Sequence, residues 1–331
     1  MTEDRIRVGI VGYGNLGKGA EAAVLQNPDM ALAAIVTRRD PAALQPRTPG
    51  VPVYGMDELD KLEGKVDVLL ACGGSATDLP EQTPLLAARF HVVDSFDTHA
   101  AIPAHFDAVD KAAKASGHLA LISAGWDPGL FSLTRLYAGA VLPQGQYYTF
   151  WGRGVSQGHS DAIRRIPGVV DARQYTVPVP AAVEAVRAGA CPELSTRQKH
   201  TRECYVVAAE GADKAEIERQ IKTMPNYFSD YDTTVTFISL TEMQEKHGAL
   251  PHGGFVIRNG RTGLQGEHGQ TMELRLALES NPEFAASVLA ACGRAIVRLS
   301  RKGETGCRTM LDLPPALLSP LDPAALRAQL L

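Results

Sequence analysis

The feature that most constrains this chain stands near its beginning. A short apolar run, Ile6, Val8, Ile10 and Val11, passes straight into Gly12, Gly14 and Gly17 in G-x-G-x-x-G spacing, and a helix-like segment follows to about Gln26. Strand, tight turn and helix in that order are the opening unit of a dinucleotide-binding fold. The three glycines have separate tasks: one permits the turn, one lets the backbone approach a pyrophosphate, and one lets the helix pack closely on the strand. The helix N-terminus then offers unpaired N–H groups and partial positive charge to the phosphates. Gly12, Tyr13, Gly14, Asn15, Leu16 and Gly17 are therefore taken as the first cofactor-binding stretch.

The second apolar run, Met30 to Val36, ends at Thr37, Arg38 and Arg39. In dinucleotide folds an acidic residue here would accept hydrogen bonds from the adenine ribose 2′-hydroxyl. Two arginines suit a phosphate instead, because a guanidinium fork matches phosphate oxygens, with about 1.5–3 kcal/mol for each charge-assisted bond. The arginine pair predicts NADP rather than NAD; a solvated arginine pair at a strand end is the plain alternative.

Strand-like runs follow at Val66 to Ala71, Phe90 to Val93 and Leu119 to Ser123, alternating with helix-like segments at Leu79 to Arg89 and Ile102 to Ser116. The alternation predicts an α/β fold with a Rossmann-type doubly wound parallel sheet, whose ligands lie outside the carboxyl ends of the strands. Chemistry is thus expected in the loops CGGSATD (Cys72 to Asp78), SFDTH (Ser95 to His99) and AGWDPGLF (Ala124 to Phe131). Cys72, Gly73, Gly74, Ser75, Thr77, Ser95 and Phe96 complete the expected cofactor set; Gly73, Gly74 and Ser75 as only a tight turn, with Thr77 or Asp78 as a helix cap, is the plain alternative. Asp127 before Pro128 reads as a cap and first helical residue ahead of a helix at Leu130 to Val141. Asp97 has no immediate helix to cap and so stands out as a ligand group.

Past about Leu142 the chain changes character. Tyr147 to Trp151, Thr201 to Ala208, Thr233 to Ser239 and Gln270 to Leu278 read as strands, with helices at Ala181 to Ala188 and Asp213 to Met224 between them. This predicts an α+β mixed-sheet domain over 126–280 for substrate binding and dimerisation. From Asn281 helical spacing returns through Phe284, Val288, Cys292, Ala295 and Leu299, so 281–331 is expected to complete the dinucleotide domain of 1–125.

Composition narrows the function. The net charge of -4 does not favour a nucleic-acid or membrane partner. Five scattered cysteines without a C-x-x-C pair predict reduced thiols in a cytoplasm, with neither a disulfide framework nor a metal site. The charged opening MTEDRIR and the lack of a long apolar run predict neither a signal peptide nor a membrane span.

Several longer motifs go beyond general fold rules: VGYGNLG (Val11 to Gly17), CGGSATDLPEQ (Cys72 to Gln82), AGWDPG (Ala124 to Gly129), FWGRGVSQGHSDAIRRIPGV (Phe150 to Val169), TMPNYF (Thr223 to Phe228) and PHGG (Pro251 to Gly254). On these the chain resembles the NADP-dependent meso-diaminopimelate D-dehydrogenase family over nearly its whole length. The resemblance implies reversible oxidative deamination of the D-centre of meso-2,6-diaminopimelate to L-2-amino-6-oxopimelate and ammonia, in lysine biosynthesis, by a homodimer. It also implies that Asp97, Trp126, Asp127, Trp151, Gln157 and Gly158 handle the D-centre, and that Thr176, Arg202, His252 and Asn281 handle the distal L-centre. The residue types fit: Arg202 can clamp a carboxylate, Thr176 and His252 can add hydrogen bonds, and two aspartates can receive an ammonium. For His252 a simple turn at PHGG, and for Asn281 a helix cap, are the plain readings. Another NADP-dependent reductase or a non-catalytic NADP sensor on the same scaffold stays open at this point.

Overall fold

The computed structural model describes residues 5–331; Met1 to Asp4, part of the charged opening, lie outside them. The chain divides into one unit that runs to Leu133 and resumes at Pro282–Leu331, and a second unit, Thr134–Asn281.

The first unit is built on a parallel sheet: β1 (Ile6–Val11), β2 (Met30–Thr37), β3 (Val53–Gly55), β4 (Val68–Ala71), β5 (Val92–Asp94), β6 (Leu119–Leu121) and a last strand, Gly306–Arg308. Their spatial order is last strand, β6, β5, β4, β1, β2, β3, all parallel. Strand order therefore reverses between β1 and β4, which is where open α/β sheets bind ligands. Side-chain alternation builds a core on each face. Ile6, Val8 and Ile10 of β1 and Val68 and Leu70 of β4 pack with helix α1 (Asn15–Gln26) and the long helix Asn281–Ser300. Leu69 and Ala71 turn the other way, toward α2 (Leu79–Ala87) and α3 (Ile102–Ser116).

The long helix Asn281–Ser300 is tied into this unit by one buried residue. Buried Arg294 of the long helix donates to both oxygens of Asp29, at 2.6 and 2.8 Å, and to the Leu318 carbonyl. A buried charge needs such partners, so this pair fixes where the helix lies. Gly306–Arg308 was not foreseen: three residues are too short for a period to show.

The second unit holds two sheets. One is mixed, ordered β11 (Asp232–Phe237), β10 (His200–Ala208), β9 (Val169–Pro178), β8 (Gly154–Val155), with β10 and β11 parallel and the other pairs antiparallel. The other is antiparallel, ordered β13 (His268–Leu278), β12 (His252–Thr262), β7 (Gly145–Trp151). Among the described residues no helix is long and apolar enough to cross a membrane.

Candidate active site

The first unit gathers its predicted residues at the carboxyl ends of the central strands. Gly12 has φ +92°, which suits glycine, and a side chain there would press on the Cys72 carbonyl at 3.3 Å. At Gly17 an added Cβ would stand 2.1 Å from the Gly12 oxygen, so only glycine lets α1 close on the turn. Gly14, by contrast, faces open space and precedes α1 without a side-chain cap. The three glycines thus divide the tasks of turn, approach and packing, and the uncapped N–H groups at Asn15 and Leu16 suit a pyrophosphate.

At the end of β2, Thr37 Oγ1 accepts the Arg39 N–H at 3.1 Å, and Arg39 Nη2 donates to the Tyr13 carbonyl at 2.8 Å. Tyr13 is itself held by a hydrogen bond from its hydroxyl to buried Glu21. Arg38 donates to Asp78 at 2.8 Å and remains mostly exposed. Both guanidiniums border a cavity of about 550 Å³, lined also by Thr37, Gly55 and Met56. A phosphate beside a ribose suits that place, so the residues present fit an NADP-type nucleotide.

Asp78 does not cap α2 with its side chain, although it occupies the N-cap position. Its carboxylate instead accepts the Gly74 N–H at 2.9 Å and the Arg38 bond. Burial pushes its acidity down, but the Gly74 N–H and Arg38 outweigh burial and hold the carboxyl below its ordinary range. Ser75 ties two loops together: its Oγ accepts the N–H groups of Asp97, at 2.8 Å, and Thr98, at 3.2 Å. Asp97 is exposed, and the chain after it enters a 3-10 turn, His99–Ala101, with Thr98 at the N-cap position but making no side-chain cap. Cys72 is buried, and burial alone pushes its thiol up to about 12, so it is no nucleophile.

Trp126 and Asp127 lie in a turn closed by hydrogen bonds from Leu130 N to the Gly125 oxygen (3.1 Å) and from Phe131 N to the Trp126 oxygen (2.8 Å). The helix that follows, Leu130–Val141, opens two residues after Pro128, so Pro128 is not its first residue as expected. Trp126 is buried edge-on to Phe131.

The second unit gathers its own set. Thr176 and Arg202 stand directly opposite each other on β9 and β10, and Arg202 Nη1 donates to Thr176 Oγ1. Arg202 is 6% exposed, has no carboxylate partner among the described residues, and leaves its buried Nε without an acceptor. Its guanidinium lies 3.9 Å from the centre of the Tyr231 ring. Burial lowers its pKa, the expected strain of a charge removed from water. Two histidines nearby are kept neutral. Burial first, and the Arg202 charge second, push His159 down to about 4 and His200 down to about 3.

His200 also holds Trp151: its Nε2 accepts the Trp151 N–H at 2.8 Å, and the rings stack at 5.3 Å. His252 opens β12 and packs on Gly154, where an added Cβ would come within 2.5 Å of the imidazole. PHGG is thus the start of a strand rather than a simple turn. Gly254, at φ +154°, lies where any Cβ would strike the Phe150 carbonyl at 2.2 Å. Gln157 and Gly158 open the helix Gln157–Arg164 and are exposed. Asn281 donates its backbone N–H to the Leu250 oxygen at 3.0 Å and is the first residue of the long helix, one position later than a cap. Sequence reasoning passed over Tyr231, His200 and His159; a ring beside a buried arginine leaves no local pattern.

The glycine turn, the arginine pair and the loops after β4 and β5 define a dinucleotide-binding α/β protein of the dehydrogenase type. The profile of the diaminopimelic acid dehydrogenase C-terminal domain matches residues 125–280. The chain is 58% identical over 331 residues to the meso-diaminopimelate D-dehydrogenase of Acetivibrio thermocellus, covering all of this chain and 99% of that one. A six-residue variant of the Clostridium tetani meso-DAP dehydrogenase, crystallised with DAP, aligns with a TM-score of 0.93 at 51% identity, over 99% of this chain and 100% of that one. An engineered D-amino acid dehydrogenase bound to NADP+ gives 0.87 at 45% identity, with the same coverage. The chain belongs to the meso-diaminopimelate D-dehydrogenase family.

Proposed function

We propose that this chain catalyses the NADP-dependent, reversible oxidative deamination of the D-centre of meso-2,6-diaminopimelate, yielding L-2-amino-6-oxopimelate and ammonia within lysine biosynthesis. Full-length identity of 58% to a relative of that name supports the activity. The observation that carries the substrate reading is Arg202, a buried guanidinium with a spare donor and no carboxylate partner among the described residues. A second amino-acid head on the substrate supplies that carboxylate.

In this reading the first unit holds the cofactor through Gly12 to Gly17, Thr37, Arg38, Arg39, Cys72 to Ser75, Thr77, Ser95 and Phe96. Asp97, Trp126 and Asp127, with Trp151, Gln157 and Gly158, serve the D-centre. Thr176, Arg202, His252 and Asn281 hold the distal L-centre. The Clostridium tetani variant carries replacements of a glutamine, a threonine, an arginine, a proline, a histidine and an asparagine. This chain has the same residue types in the same order at Gln157, Thr176, Arg202, Pro251, His252 and Asn281, which supports the assignment. The enzyme is read as a cytoplasmic homodimer joined through its second unit; five unpaired cysteines, four of them buried, suit a reducing compartment.

NADP+, when bound, supplies the hydride acceptor. Hydride leaves the D-carbon only as the neutral amine nitrogen pushes its lone pair into a C=N bond, and water then hydrolyses the imine to ketone and ammonia. Asp97 and Asp127 orient the amino group, while solvent takes the proton, so oxidation accelerates toward alkaline pH. A flat pH–rate profile from neutral to alkaline would overturn that assignment. The activity itself is tested by following NADPH formation with meso-, LL- and DD-diaminopimelate and with simple D-amino acids. The meso isomer is expected to be preferred and the LL isomer to be inert; equal rates on simple D-amino acids, or no NADPH with any substrate, would refute the reading.

A further inference from the structure

One buried carboxylate in the first unit has no part in the assignments above. Asp94, the last residue of β5, is fully buried. Its Oδ1 accepts the N–H of Phe96 at 3.0 Å and the N–H of Ser123 at 2.8 Å. Its Oδ2 meets Thr83 Oγ1 of α2 at 2.8 Å and His105 Nε2 of α3 at 2.7 Å. The Asp94 backbone oxygen takes the N–H of Ala124 at 2.8 Å. Donors from two loops and two helices thus converge on one residue.

The two oxygens divide this work. Oδ2 anchors the helices, whereas Oδ1 fixes the spacing of the backbone at Phe96, one residue before Asp97, and at Ser123, three residues before Trp126. Ser123 has φ +59°, an uncommon conformation for a residue with a side chain. The carboxylate accepts its N–H at just that point. Phe96 is held from its other side by a stacked His105 ring at 4.1 Å. A carboxylate can accept four or more hydrogen bonds and is the one side chain of this size able to receive them all.

We propose that Asp94 is a positioning residue for the reaction: through Oδ1 it sets the distance between the Asp97 loop and the Trp126–Asp127 loop, without touching substrate or cofactor. The proposal rests on the functional reading above for what those loops do. Misplacement of reacting groups by about 1 Å costs on the order of a hundredfold in rate.

The test compares three variants of the full-length enzyme. Asp94→Ala removes the shared acceptor, and kcat with meso-diaminopimelate is expected to fall about a hundredfold, with the NADP+ KM rising far less, because Ser95 and Phe96 are only part of a cofactor site that the glycine turn and the arginine pair also hold. Asp94→Asn keeps an oxygen for the two N–H groups and is expected to restore most of kcat. Thr83→Val removes only an anchor on Oδ2, and is expected to lower Tm while leaving kcat near wild type. A wild-type kcat in a folded Asp94→Ala enzyme, a loss in Asp94→Asn as deep as in Asp94→Ala, or kcat falling in step with Tm through all three would overturn the proposal.

Should Asp94→Ala not fold, amide exchange on the wild-type enzyme decides. The Phe96 and Ser123 amides are expected to exchange as slowly as those of β5; exchange at exposed-loop rates would refute the clamp. If wild-type enzyme forms no NADPH from meso-diaminopimelate, the functional reading has failed, and the exchange experiment still reports on Asp94.

Discussion

Two regions of this molecule carry the arginines that we propose meet an anion, and they hold them in opposite ways. At the end of β2, Arg38 and Arg39 are exposed, and Arg38 rests on Asp78. On β10, Arg202 is buried against Thr176 and the Tyr231 ring, with one nitrogen unsatisfied. An exposed guanidinium loses little when its anion leaves, because water replaces the anion. A buried one is left as an uncompensated charge. In the proposed reading the exposed pair adds a preference to a cofactor already held by backbone, whereas the buried residue makes its ligand nearly obligatory. A site that discriminates strongly is one whose own groups suffer when the wrong ligand is bound.

The sharpest way to break this contrast is Arg202→Ala. It is expected to cost about 2–5 kcal/mol in kcat/KM for meso-diaminopimelate, with NADP+ affinity nearly unchanged. Steady-state kinetics with each ligand varied separately checks it. An equal loss of cofactor binding would place Arg202 in the wrong role and dissolve the comparison.

The buried region should also be the acid-sensitive one. His159 and His200 ordinarily titrate at 6.5, and burial together with the Arg202 charge holds them down to about 4 and about 3. Their folded-state values are depressed, so above pH 6.5 both states are neutral and the stability is fully present. As pH falls below that, the unfolded chain takes up protons that the folded chain refuses, and stability is lost. At pH 4.5 the loss is about 2–3 kcal/mol for each histidine. Urea unfolding at pH 7 and pH 4.5 measures it, and His159→Asn with His200→Asn is expected to flatten the difference. An unchanged pH dependence in the double variant would show that the acid sensitivity lies elsewhere.

Effects in the exposed region should be smaller and confined to the choice of nucleotide. Replacing Arg38 and Arg39 singly by Ala is expected to cost about 1.5–3 kcal/mol of NADP+ binding each and to leave NAD+ binding almost untouched. The ratio of kcat/KM for the two nucleotides reads this directly. Loss of NAD+ binding in parallel would mean that the pair supports the fold of the β2 turn, through Thr37 and the Tyr13 carbonyl, rather than a phosphate.

How much of this was legible differs between the same two regions. The first unit repeats strand and helix at regular lengths, and its glycines are close in sequence, so its fold could be read from the chain. In the second unit β9 was passed over, and the reason is physical. Its inward positions are Ala172, Gln174 and Thr176, all buried, and two of the three are polar because the strand lines the Thr176–Arg202 pair. The alternation that reveals a strand fails where polar residues take its buried face. β10 was found because Cys204 and Val206 continue the buried face begun by His200 and Arg202. β12 was hidden by Gly253 and Gly254, whose lack of side chains follows from the closeness of β7 and β13. Thr176, Arg202 and His252 were proposed through the family resemblance, Thr176 and Arg202 from outside every quoted motif; their mutual placement belongs to tertiary structure and has no signature in the chain.

Tyr231 gives the smallest test and the one that sharpens the contrast most. Nothing in the sequence marks this tyrosine, yet its ring lies 3.9 Å beneath the Arg202 guanidinium and favours the charged form of the arginine. A desolvated cation over an aromatic face gains about 1–2 kcal/mol. Arg38 and Arg39 are held by an ion pair and a backbone carbonyl instead, so only the buried arginine depends on a ring. Tyr231→Leu is expected to raise the KM for meso-diaminopimelate by about five- to thirtyfold with little change in kcat, because the lost support weakens carboxylate binding in ground and transition states alike. Tyr231→Phe keeps the face and should recover most of that loss. If Phe is as damaging as Leu, the hydroxyl carries the interaction. If Leu is silent, Arg202 is oriented by Thr176 alone, and the buried site is simpler than its geometry suggests.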